Sequence, residues 1–152
     1  MDRDIQHQMR AALEAVEKTL HENAGVPDIA AESSYSPFHF QRRFSAMTGI
    51  SVASYIRRRK LTRAAIDLCC YDRRVIYCAF EYGFAHEQSF IRAFTREFGV
   101  SPGAFRREKV NIALQRDLSR DYIDARSGIL ISPFDAYSIN HGIRIVGIRR
   151  RF

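Results

Sequence analysis

Four polar side chains stand out for what they could grip. Gln41 and Arg42 are adjacent, and Gln88 and Arg92 lie four residues apart. A glutamine amide presents a donor and an acceptor in one plane, which matches the N6/N7 edge of adenine. An arginine fork matches guanine O6/N7. Phe38, Gln41 and Arg42 stand at i, i+3 and i+4, so a helix would carry them on one face, opposite Phe40 and Phe44. Glu87 and Ser89 flank Gln88; a glutamate there could accept from cytosine N4 or repel phosphates. Phe38 suits a thymine methyl group or a cover over the preceding turn. The chemistry of this set is edge recognition, with a merely solvated helix face as the alternative for its polar members.

A second set suits phosphate. Arg43, Arg57, Arg58, Arg59, Lys60 and Arg96 are candidates for contacts that fix register and affinity without reading a base. Ser51 and Ser101 open helices whose first N–H groups could hold a phosphate, and a capping role explains them equally well. The charge is distributed to match. The chain of 152 residues carries a net +7, but residues 1–35 are acidic at net −4, residues 36–110 hold net +8, and residues 111–152 hold net +3. A basic middle block of this kind attracts nucleic acid or another polyanion.

Other chemistries find little support. Cys69, Cys70 and Cys78 are an odd, clustered trio. They lack CxxC spacing and a matching histidine set, so buried structural thiols in a reducing cytoplasm are expected, with no metal. His39 and His86 read as caps or groove-facing polar residues. No glycine loop that could cradle phosphates and no defensible nucleophile–base arrangement appears, so neither a cofactor nor an enzyme is expected. The start of the sequence lacks a secretory pattern, and no apolar run approaches the roughly 20 residues a membrane span needs.

The elements that must position these residues emerge from hydrophobic spacing. Ile5, Met9, Leu13, Val16 and Leu20 predict a helix from about 4 to 21. Gly25 and Pro27 punctuate the turn before a short helix over 28–33, packed through Ile29 and Ala30. Ser36-Pro37 caps and starts a helix to Thr48, with Phe40, Phe44 and Met47 inward and Gly49 as its stop. Ser51 opens a longer helix to 68 or 70. Asp72 is expected to cap a short helix over 73–82, with Val75, Ile76 and Ala79 inside. A helix over 86–98 turns Phe90, Phe94 and Phe98 inward. Gly99, Ser101 and Pro102 then repeat the stop, cap and start.

The repetition is internal. Residues 40–57 and 90–107 match at a shift of 50, through Phe40/Phe90, Arg42/Arg92, Phe44/Phe94, Gly49/Gly99, Ser51/Ser101 and Arg57/Arg107. Each copy reads short helix, tight turn, second helix, which is a helix-turn-helix. The intervening helix of about 17–19 residues spans about 25–29 Å. That length permits two reading helices about one DNA turn apart, near 34 Å.

These residues carry a resemblance. The stretch from Val26 to Arg107 resembles the double helix-turn-helix DNA-binding domain of the AraC/XylS family of transcription regulators. The match runs through Tyr82-Gly83-Phe84, Gln88, Ser89, Phe90, Arg92, Phe94, Phe98-Gly99-Val100-Ser101-Pro102 and Phe105-Arg106. In the first copy it runs through Tyr35-Ser36, Phe38, Phe40, Arg43, Phe44, Thr48-Gly49, Tyr55 and Arg57-Arg58-Arg59-Lys60-Leu61. Two departures are Ser34, where the family usually has glycine, and His86-Glu87, where small polar residues are common.

The resemblance implies an all-α double helix-turn-helix domain over 1–110, double-stranded DNA as partner, and regulation through surface contact with RNA polymerase. Residues 111–152 are expected to be a linker and a tail with strands at 128–133 and 143–148. They weakly resemble the opening of a gyrase-inhibitor-like effector domain, so a small-molecule effector stays open. The alternative function is a helical protein-interaction module whose basic face takes an acidic partner.

Overall fold

The computed structural model describes residues 3–22, 25–32, 35–108 and 112, with side chains from His7 onward. These residues form seven helices and no strand: α1 (Arg3–Lys18), α2 (Val26–Glu32), α3 (Pro37–Thr48), α4 (Val52–Cys70), α5 (Val75–Glu81), α6 (Glu87–Phe98) and α7 (Pro102–Glu108). The architecture is all-α, as the hydrophobic periodicity predicts. The Ser34 turn and the expected tail strands lie outside the described residues. The described chain divides into two units, one up to Arg59 and one from Lys60 onward.

The first unit closes around two phenylalanines. Met9, Leu13, Val16 and Leu20 of α1 and the turn after it are buried with Ile29, Phe40, Phe44, Val52 and Tyr55. Each such side chain contributes about 1.5–3 kcal/mol on burial. The Phe44 ring lies 5.9 Å from Phe40 and 5.4 Å from Tyr55, tilted against both. α2 begins at Val26, ahead of the expected start. Pro27 sits in its first turn, where a missing N–H costs nothing, and the Asp28 carboxylate accepts the Gly25 N–H at 2.8 Å. Met47 is 36% exposed rather than inward, because the last turn of α3 runs past the core that Phe40 and Phe44 fill.

The second unit repeats this plan. Leu61, Ala64, Ala65 and Leu68 of α4 are buried with Cys78, Ala79, Tyr82, Phe90, Phe94 and Phe105. Phe94 is the hub, with ring centroids 5.6 Å from Phe90, 4.6 Å from Phe98 and 5.7 Å from Phe105. Ile112 is also buried in this cluster, so the core of the unit takes in a residue beyond 110.

Two expectations about α5 are corrected. The helix starts at Val75 with Arg74 at its N-cap, and no side chain caps it. Asp72 stands instead in the left-handed region at φ 50, which aspartate tolerates better than most residues. Its carboxylate accepts from Arg106 Nε at 2.7 Å. Ile76 is 37% exposed, because it lies about 200° around the helix from buried Cys78.

Candidate nucleic-acid interface

Each unit holds one helix by its phenylalanine stripe and turns the opposite stripe outward. In α3 the Ser36 backbone is extended, and its hydroxyl accepts from the His39 N–H at 3.4 Å. Pro37 occupies the first turn. The left-handed Gly49 returns its N–H to the Ser45 carbonyl at 2.9 Å. With Phe40 and Phe44 fully buried, 3.6-residue periodicity sends Phe38 and Arg42 to the far side and Gln41 to the flank beside them, and all three are exposed. Phe38 is 70% exposed and stands edge-on to His39, with ring centroids 5.8 Å apart. An apolar ring held in water at the first turn of a helix is poorly explained as a cover over the preceding turn.

α6 is built alike. Phe90, Ala93 and Phe94 are buried, and Gly99 ends the helix at φ 73 with its N–H on the Thr95 carbonyl. Gln88 and Arg92 are exposed, while Glu87 and Ser89 are half-buried. His86 occupies the N-cap position without a side-chain cap bond. Taking the buried phenylalanine as reference, Gln88 and Arg92 flank the point directly opposite it, as Phe38 and Arg42 do in α3. Arg42 and Arg92 are strict equivalents, and Gln88 corresponds in position to Phe38. The two outer faces therefore share their arginine and differ in the residue one turn before it.

The phosphate candidates separate into four kinds, of which the buried Arg59 is the last. Arg43, Arg57 and Arg96 are exposed, and the Arg43 guanidinium stacks 5.3 Å from the centre of the Tyr35 ring. Arg58 and Lys60 are half-buried, and burial lowers the Lys60 pKa from its usual value. Ser51 and Ser101 are exposed and act as caps. The Ser51 hydroxyl accepts from the Ser54 N–H at 3.2 Å, and that of Ser101 accepts from the Ala104 N–H at 3.2 Å.

The expectation for Arg59 is corrected. Arg59 is buried, and its guanidinium donates to both Glu17 oxygens at 2.7 Å. Two of its nitrogens are engaged on Glu17, tying α4 to α1. Glu17 carried no local signal, since it lies 42 residues away and four residues along α1 from Leu13. Arg63 is a further basic side chain that spacing did not single out. It is exposed on α4 three residues beyond Lys60, where the helical continuation of the basic run could have pointed to it.

Among the described residues no group of three or more His, Cys, Asp or Glu is placed to hold a metal, and no helix is long and apolar enough to cross a membrane. Cys78 is buried, and Cys69 and Cys70 are half-buried.

A helix-turn-helix domain model matches residues 29–108, which takes in both units' outward helices. The transposon Tn10 TetD protein of Escherichia coli is 38% identical over 95 residues, covering 62% of this chain and 69% of that protein. The uncharacterized HTH-type transcriptional regulator YbfP of Bacillus subtilis (strain 168) is 44% identical over 91 residues. That match covers 60% of this chain and 31% of YbfP, so the chain spans about a third of that relative's length. Among solved structures, the DNA-binding domain of the global transcriptional factor AdpA, in complex with a target DNA, superposes with a TM-score of 0.62 at 27% identity. That match covers 66% of this chain and 91% of the other.

Proposed function

The chain belongs to the AraC/XylS family of DNA-binding transcription regulators, and from that premise we propose that the outer faces of α3 and α6 read bases in two successive major grooves of one duplex. The observation that carries this reading is the common register of the two faces. Each sets an exposed arginine, Arg42 or Arg92, opposite a fully buried phenylalanine pair. Phe38, Gln41 and Arg42 would serve one groove, and Glu87, Gln88, Ser89 and Arg92 the other. Exposed Arg43, Arg57 and Arg96, with Arg58 and Lys60 beside them and the helix starts at Ser51 and Ser101, would meet phosphates. The protein acts by binding rather than by catalysis, in the cytoplasm, and affects transcription by surface contact with RNA polymerase.

Selection of bound sites from random duplexes supplies the operator. Arg92→Ala then weakens binding about 5- to 150-fold on that operator, which is the worth of one bidentate base contact. The penalty vanishes when the cognate base pair is changed. Arg96→Ala weakens specific and random duplexes alike and lowers the slope of log K against log salt by about 0.9. Equal losses on both kinds of DNA for both variants would refute the division into reading and anchoring residues.

A further inference from the structure

Most of the large apolar side chains that the described residues leave in water fall within one short stretch. Tyr71, Ile76, Tyr77 and Phe80 are 69%, 37%, 58% and 57% exposed. On α5 the last three share one face. With buried Cys78 as origin, they lie about 160–260° around the axis, away from Cys78, Ala79 and Tyr82, which enter the core. The groove-reading face of α6 uses none of them.

The charges beside this face are arranged for a particular occupant. Arg74, at the N-cap of α5, stacks 5.7 Å from the Tyr77 ring centre. Glu81 closes the helix seven residues later and is held by Arg73 through an ion pair. Arg74 and Glu81 lie on the same flank of the helix, about 20° apart in angle and about 10 Å apart along the axis. A two-fold axis perpendicular to α5 and passing near Tyr77 lays a second α5 antiparallel on the first. It puts Ile76, Tyr77 and Phe80 against their own copies. The same operation sets each Arg74 beside the other chain's Glu81, because a two-fold exchanges the ends of a helix while keeping its flank. The patch centre and the midpoint of the charge pair both fall at residues 77–78, so one axis satisfies both.

We infer that the exposed face of α5 is a self-association surface that takes α5 of a second copy of this chain, antiparallel, through Ile76, Tyr77 and Phe80 with two reciprocal Arg74–Glu81 pairs. The exposed parts of these side chains amount to about 300–400 Å² per chain, well below the roughly 800 Å² per partner of a stable complex. The association is therefore weak in free solution and suited to neighbouring copies on one duplex. It does not depend on how either unit reads DNA.

Sedimentation velocity of the full chain without DNA tests it over about 5–500 µM, the range where so small an interface should act. The weight-average mass should rise from 17.6 kDa toward twice that value. Phe80→Ser should weaken association by at least about tenfold, with helical circular dichroism unchanged because the ring is exposed. Arg74→Glu and Glu81→Arg should each fail to self-associate, since each sets like charges opposite. An equimolar mixture of the two should associate as the wild type does, because both contacts are then of opposite sign. A wild-type chain monomeric at the top of the range overturns the inference, as does a Phe80→Ser chain that associates normally. So does a mixture no better than its components. A monomeric chain that instead binds a glutamate–tyrosine copolymer would assign the face to an acidic partner.

Discussion

Arg59 shows how a single side chain can be misjudged from its neighbours. It sits inside the run Arg57-Arg58-Arg59-Lys60, and sequence spacing gives no reason to separate it from the others. Burial separates it, because one face of α4 must meet α1, and the side chain that falls there needs a carboxylate to be tolerated. Glu17 supplies it in a two-point contact at 2.7 Å. Breaking a buried pair leaves the other charge stranded at a cost of about 3–5 kcal/mol, toward the lower end here because Glu17 keeps some solvent. Arg59→Met should therefore lower the urea unfolding free energy by about 3 kcal/mol while leaving the salt slope of DNA binding unchanged. A reduced slope with intact stability would return Arg59 to the phosphate contacts.

Cys78 makes a residue-scale prediction of another kind. Burial, reinforced by the carboxylates of Asp67 and Glu81, pushes its thiol up from 9.0 to about 11. Burial and the hydrogen bond to Asp67 also raise the Tyr82 hydroxyl above its usual 10.0. Both groups hold their protons more tightly folded than unfolded. Their contribution to stability is thus complete below the unfolded values and lost as pH rises through the folded ones. The unfolding free energy should hold level to about pH 8.5, begin to fall near pH 9, and go on falling past pH 11 because Tyr82 releases its proton later than Cys78. Folded Cys78 should resist iodoacetamide at pH 8, and should react once the chain is unfolded in urea.

At the scale of elements, the caps were legible and the outward-facing helices α3 and α6 with them. Ser36-Pro37 with Gly49, and Ser101-Pro102 after Gly99, are local signals whose physics is local, and α3, α6 and α7 lie where they indicate. The start of α5 was not legible. A cap bond to Asp72 competes with a tertiary bond, and the tertiary partner, Arg106, lies 34 residues away. Gly49 and Gly99 allow the stops to be weighed. Their φ values are 72 and 73, and an added Cβ would meet nothing within 4 Å at either. The cost of a side chain there is backbone strain alone. Gly49→Ala and Gly99→Ala should each destabilise by about 1–2 kcal/mol. Asparagine at the same positions should cost less than alanine, because it tolerates the left-handed region. Thermal unfolding of the four variants checks both statements. Equal losses for alanine and asparagine would mean that space, not backbone, limits these sites.

For the whole molecule the question is how much chain the paired modules need. The sequence puts the end of the DNA-binding part at 110, soon after the second copy of the repeat runs out, with residues 114–122 as an extension of the last helix or a linker. Ile112, two residues further on, is only 7% exposed and belongs to the Phe90–Phe94–Phe105 cluster. That contact could not be read from spacing, because the short apolar run Val110, Ile112 and Leu114 after the helix end does not declare which of its members turns into the core. Both described clusters lie within residues 9–112. A chain ended after Leu114 should therefore keep the full chain's affinity for duplex DNA within about threefold, less than the weight of a single base contact. Its thermal midpoint should stay within a few degrees. A chain ended after Val110 loses the Ile112 side chain, worth about 1.5–3 kcal/mol. For a domain of this size that lowers the midpoint by about 6–20 °C. The loss should fall on the second unit, so hydrogen exchange should quicken at Phe90 and Phe94 while Phe40 and Phe44 stay protected. If both truncated chains behave alike, Ile112 is an ornament of the core. If both fail, residues beyond 114 supply part of the fold that carries the outer faces of α3 and α6.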